Sequence, residues 1–184
     1  MNHIMNKSRL NYPALTIFAI AMGFLEAVVV VYVRELYYPK GFDFPLKILP
    51  PQILAIELIR ELSTMLMILS LAWIAAKSFV QRLAVFLFVF GIWDIFYYVA
   101  LKIFLAWPDS FLTWDILFLI PIAWTAPVLA PLICSVVMIV MAVLFELLYR
   151  QNKLKHFKWF ELLIIFAGAF VIFFTFIHDF GTII

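Results

Sequence analysis

Residues 52–76 (QILAIELIRELSTMLMILSLAWIAA) are long enough to cross a bilayer as a helix, yet their first half carries Glu57, Arg60 and Glu61. On a helix, positions 57, 60, 61 and 64 share one face, so two carboxylates, a guanidinium and the Thr64 hydroxyl form one polar stripe. An ionisable side chain at membrane depth costs at least ~2.5–3.5 kcal/mol unless it finds a partner or water. The stripe must therefore face protein or a wet cavity. Any fold open to this chain has to supply that surface.

The remaining apolar runs supply the other walls. Residues 14–33 are apolar apart from Glu26, which lies ~18 Å along a helix that rises 1.5 Å per residue. Tyr32, Tyr37 and Tyr38 gather near the end of this run like an interfacial aromatic belt. Residues 82–106 carry Asp94 near their middle, with Tyr97 and Tyr98 at i+3 and i+4 on the same face. Lys102, near the end of that run, is placed to snorkel to the interface. Residues 127–149 and 159–177 complete the set. Hydrophobic residues make up 67% of the chain and charged residues 13%, against ~45–50% and ~25% in soluble domains. The composition is that of an all-α integral membrane protein, a single polytopic unit of about five spans with almost no room for a soluble domain.

Several function classes drop out. The net charge of +2 is small and the basic residues are scattered over loops, so no nucleic-acid partner is expected. Cys134, the only cysteine, sits in an apolar run and reads as a buried, inert side chain. The basic start MNHIMNKSRLNYP precedes a long apolar run without a small-residue cleavage site, which reads as an uncleaved first span. No P-loop, GxGxxG or CxxC pattern occurs, and Ser63 and Thr64 have no histidine base nearby.

Two connections are irregular. Residues 39–51 (PKGFDFPLKILPP) are proline-rich and hold a short amphipathic piece expected to lie in the interface. Residues 107–131 contain Pro121, Pro127 and Pro131, which forbid one smooth helix. This pattern predicts a half-helix over 114–120, capped by Thr113 and broken at Pro121, that re-enters the membrane before span four. A single kinked helix lying partly in the interface is the alternative. Irregular backbone at membrane depth is tolerated only where it is buried in protein or lines a cavity.

Basic residues orient the bundle. With a cytoplasmic N-terminus the inner segments hold Lys7, Arg9, Lys77, Arg82, Arg150, Lys153, Lys155 and Lys158, and the outer ones Arg34, Lys40, Lys47 and Lys102. This excess favours a plasma (inner) membrane protein with its N-terminus inside and its C-terminus outside. In that orientation Glu26, Glu57, Arg60, Glu61, Asp94, Tyr97, Tyr98 and Asp115 all fall in the outer half of the bilayer, near His178 and Asp179 at the end of span five. Glu146, near the cytoplasmic end of span four, is expected to pair with Arg150 at i+4.

Five acids against Arg60 cannot neutralise one another, so some must be protonated, bind a cation or face water. One reading is a cavity that binds or transports a cation or small cationic solute, with Trp93, Tyr97 and Tyr98 supplying cation–π surface. A second is a metal-dependent enzyme acting on lipid or lipid-linked phosphate at the outer leaflet. There Glu57, Glu61 and Asp94 would hold a divalent cation (Mg, Mn or Ca), and Arg60 and Lys102 the anion. A third is a structural or assembly subunit tied together by a buried Arg–acid network. Membrane lipid is the expected environment and partner, and a transport role in so small a chain implies a homodimer or a partner membrane subunit.

Overall fold

A computed structural model of the chain describes residues 10–38, 50–154 and 156–178. The interfacial piece expected within 39–51 lies almost wholly outside the described residues, as do the basic N-terminal residues and Asp179. Five helices and one β-hairpin follow in the order α1 (Tyr12–Tyr37), α2 (Pro51–Ala75), α3 (Phe79–Leu105), β1 (Trp114–Phe118), β2 (Trp124–Pro127), α4 (Leu129–Arg150) and α5 (Trp159–Ile177). The fold is an all-α membrane bundle. α1, α3, α4 and α5 are each long and apolar enough to cross a membrane. α2 matches them in length but carries the charged stripe.

The helix starts follow local chemistry. Asn11 accepts a hydrogen bond from the Ala14 amide at 3.3 Å, and Ser78 one from the Gln81 amide at 3.2 Å; each satisfies a backbone donor that a first turn leaves unpaired. Pro51 opens α2 at a position where a missing N–H costs nothing. α3 stops at Ala106 in the left-handed region (φ 54°), and Lys102 Nζ donates to the Ala106 and Pro108 carbonyls at 2.9 and 2.8 Å. Lys102 thus caps its own helix end, where a cation is favoured by the unpaired carbonyls.

α3 is the hub, packed against α1, α2 and α4. Close approach is bought with small residues: Ala19, Gly23 and Ala27 recur every fourth position on α1, and both alanines are fully buried. A Cβ on Gly23 would meet the Trp93 carbonyl oxygen at 2.7 Å, and one on Gly91 the Ser135 carbonyl oxygen at 2.6 Å. Backbones in near contact gain dispersion energy that lipid-facing leucines cannot supply. α5 stands apart, with no buried residue, and leans on β2 through Trp124 against Phe173 (4.9 Å).

Residues 114–120 are a correction: they form no half-helix. β1 and β2 pair antiparallel, Trp114 opposite Pro127 and Asp115 opposite Ala126, with an irregularity between Ile116 and Phe118. A helix of two turns ending at Pro121 would spend its nucleation cost on very few bonds. Ile, Phe, Trp and Thr at 114, 116, 118, 124 and 125 instead favour paired strands. The expected inward excursion does occur, in β form. Asp115 meets Tyr98, whereas Phe118 reaches Phe90 and Trp93, farther from the end of α3, so the hairpin descends into the bundle between α2 and α5.

Candidate functional site: a carboxylate-lined cavity under the hairpin

α2 is built inside out. Its buried residues are Glu57, Glu61, Thr64, Ile68 and Ala72, while Ile56, Ile59, Leu62 and Leu66 are exposed. The polar stripe therefore faces the protein, as an ionisable row in an apolar medium must. Ile68 and Ala72 continue the same face into the apolar core, so the second half of α2 is held by packing and the first half by polar contacts.

Those contacts form two networks. Arg60 pairs with Glu26 of α1 through Nη1, and with Glu57 through Nη2 at 2.7 Å and Nε at 2.9 Å. Thr64 Oγ1 donates to the second Glu26 oxygen at 3.0 Å. One guanidinium thus holds two carboxylates and joins α1 to α2. In the second network Arg34 Nη2 lies 2.8 Å from Asp115 Oδ1, Tyr98 donates to Asp115 Oδ2 at 3.3 Å, and the Arg34 guanidinium stacks 3.9 Å from the Trp107 ring centre. Asp115 is only 1% exposed.

Two acids stand outside these networks. Both Glu61 oxygens accept from the Leu119 amide, at 3.0 Å each. This amide lies just past β1, and a strand edge sunk into a bundle needs an acceptor for its N–H. Asp94 accepts from Ser135 of α4 at 2.6 Å. Neither Glu61 nor Asp94 forms an ion pair among the described residues.

All eight residues singled out by the sequence, Glu26, Glu57, Arg60, Glu61, Asp94, Tyr97, Tyr98 and Asp115, line one cavity of about 130 Å³. Trp93 and the β1 segment through Leu119 complete its wall. Arg34 also lines it and is the residue that sequence reasoning missed by assigning it to an outer loop. Its signal was spacing: Arg34 follows Glu26 at i+8, two turns on along the same face. The Trp93 indole N–H is buried without a hydrogen-bond partner among the described residues.

Other expectations are redirected. No three His, Cys, Asp or Glu side chains among the described residues are grouped to hold a metal ion. Glu57, Glu61 and Asp94 turn to Arg60, Leu119 and Ser135 respectively instead of to a shared centre. Lys102, a candidate anion ligand, is engaged with carbonyls, and His178 packs against Phe174 and is absent from the cavity wall. Glu146 is a correction: it is buried and accepts from Gln81 Nε2 at 3.1 Å, with no ion pair to Arg150 among the described residues. α3 comes close enough for Gln81 to reach it, and a buried carboxylate takes the nearest donor.

No protein-family model, curated protein sequence or solved structure matches this chain, so function has to be argued from the cavity itself.

Proposed function

We propose that this membrane bundle binds, as a receptor or carrier, a small cationic group in the cavity under the hairpin. The observation that carries this reading is the charge balance inside the wall. Among the described residues Arg60 is matched to Glu26 and Glu57 and Arg34 to Asp115, which leaves Glu61 and Asp94 there with hydrogen bonds and no cation. Trp93, Tyr97 and Tyr98 add aromatic faces to the same wall, surfaces that attract cations released from water. The cavity has room for several waters or a small amine. In the orientation that the basic residues favour, it belongs to the outer half of the bilayer, and a transport role would draw on a homodimer or a partner subunit to provide the second access path.

The test is isothermal titration of the purified protein with ethylammonium chloride. Wild type is expected to show saturable binding, and Asp94→Asn to weaken it about tenfold or more, a loss of at least ~1.4 kcal/mol. Equal affinity in the two proteins, or no binding to wild type, would overturn the reading. A structural role for the acids is the competing reading, favoured by the way Arg60 and Arg34 tie α1 to α2 and to the hairpin. It expects Asp94→Asn to change stability alone.

A further inference from the structure

Building on the cation-binding reading above, we infer the class of ligand: an amphiphile whose amine-bearing headgroup enters the cavity sideways from the bilayer, between α2 and the tip of the hairpin. The argument starts from neighbouring residues. Glu61 on α2 and Leu119 on the hairpin line the polar cavity. Their sequence neighbours Leu62 and Ile120, with Leu58 and Pro121, line an apolar groove of about 300 Å³ on the other side of the same seam. A carboxylate-lined chamber and an apolar trough are therefore lined by adjacent residues of the same two segments. The seam is closed by the bonds from the Leu119 amide to Glu61.

A small soluble cation would use the chamber and have no use for the trough. An amphiphile uses both, its headgroup among the acids and its chain along Leu58, Leu62 and Ile120. The seam is also built to part. The second half of α2 is anchored by Ile68 and Ala72 in the core, whereas its first half meets α1 and the hairpin through ion pairs and hydrogen bonds. Trp93 lines the same chamber, and its buried N–H, which has no acceptor among the described residues, is a donor for an oxygen beside the cationic nitrogen. Carboxylates for an amine and an indole N–H for a neighbouring oxygen match a phosphoethanolamine headgroup better than a bare cation.

The experiment is native mass spectrometry of the full chain released from nanodiscs of equal phosphatidylethanolamine and phosphatidylglycerol, run beside the ethylammonium titration. Wild type is expected to retain the ethanolamine lipid about tenfold over the glycerol lipid, a difference of ~1.4 kcal/mol. Leu62→Trp and Ile120→Trp, which fill the trough from exposed positions, are expected to abolish that preference while ethylammonium still binds. Asp94→Asn is expected to lose both. Ethylammonium binding without lipid preference in wild type overturns the amphiphile and leaves the cation site standing, whereas absence of both overturns the two together. A lipid preference that survives in both trough variants overturns the sideways route.

Discussion

Arg60 shows why the acids of this protein cannot be judged one at a time. It is in contact with both Glu26 and Glu57, so removing it strands one buried and one half-buried carboxylate. Arg60→Met is expected to lower stability by ~3–5 kcal/mol, the usual cost of leaving buried charge without its partner. Glu26→Gln, which keeps an acceptor for Thr64, is expected to cost less; chemical denaturation in detergent reads the difference. Glu61 follows another logic, because its partner is a backbone amide. Glu61→Leu leaves the Leu119 N–H unpaired and is expected to cost ~1–3 kcal/mol, while Glu61→Gln retains an acceptor and keeps most of the stability. Comparable losses in both variants would mean that charge, and not the amide bond, sets the contribution of Glu61. At this scale the stripe at 57, 60, 61 and 64 was legible, since helical spacing alone puts those residues on one face. Arg34 was not, because an arginine at the end of an apolar run reads as an interfacial residue until a buried partner from a distant element appears.

Among the elements, α1 and α3 depend on an absent side chain. Gly23→Ala forces a Cβ to within 2.7 Å of the Trp93 carbonyl, and the helices must separate or shift. The expected cost is ~1–3 kcal/mol. Gly168→Ala on α5 meets nothing within 4 Å and is expected to leave stability unchanged or slightly raised by helix propensity. Thermal unfolding of the two variants side by side checks the contrast. Helices α1 to α5 were readable because twenty-residue apolar runs have one stable form in lipid. The hairpin was hidden for a physical reason. Both of its faces are apolar except at Asp115 and Thr125, so no alternation distinguished strand from short helix, and the decisive contacts (Leu119 to Glu61, Asp115 to Arg34) join residues 58 and 81 positions apart. The prolines correctly marked where the helix could not continue, and were silent on what replaced it.

For the molecule as a whole, α1, α3 and α4 form the packed frame, and α2 and the hairpin close a chamber on it. The chamber wall draws on α1, α2, α3 and β1, so the eight polar and aromatic residues that the sequence scattered over 90 positions meet in one place. Two guanidiniums against five carboxylates give that place its character. A protein that needed only cross-links would be expected to match its charges, and this one keeps Glu61 and Asp94 in a wall with aromatic rings and without an ion pair among the described residues. The most direct measurement is a titration of the wild-type protein with size-matched probes of opposite charge, ethylammonium and acetate, under identical conditions. The account expects saturable binding of ethylammonium and none of acetate. Binding of acetate, or heat from neither ion, would contradict it.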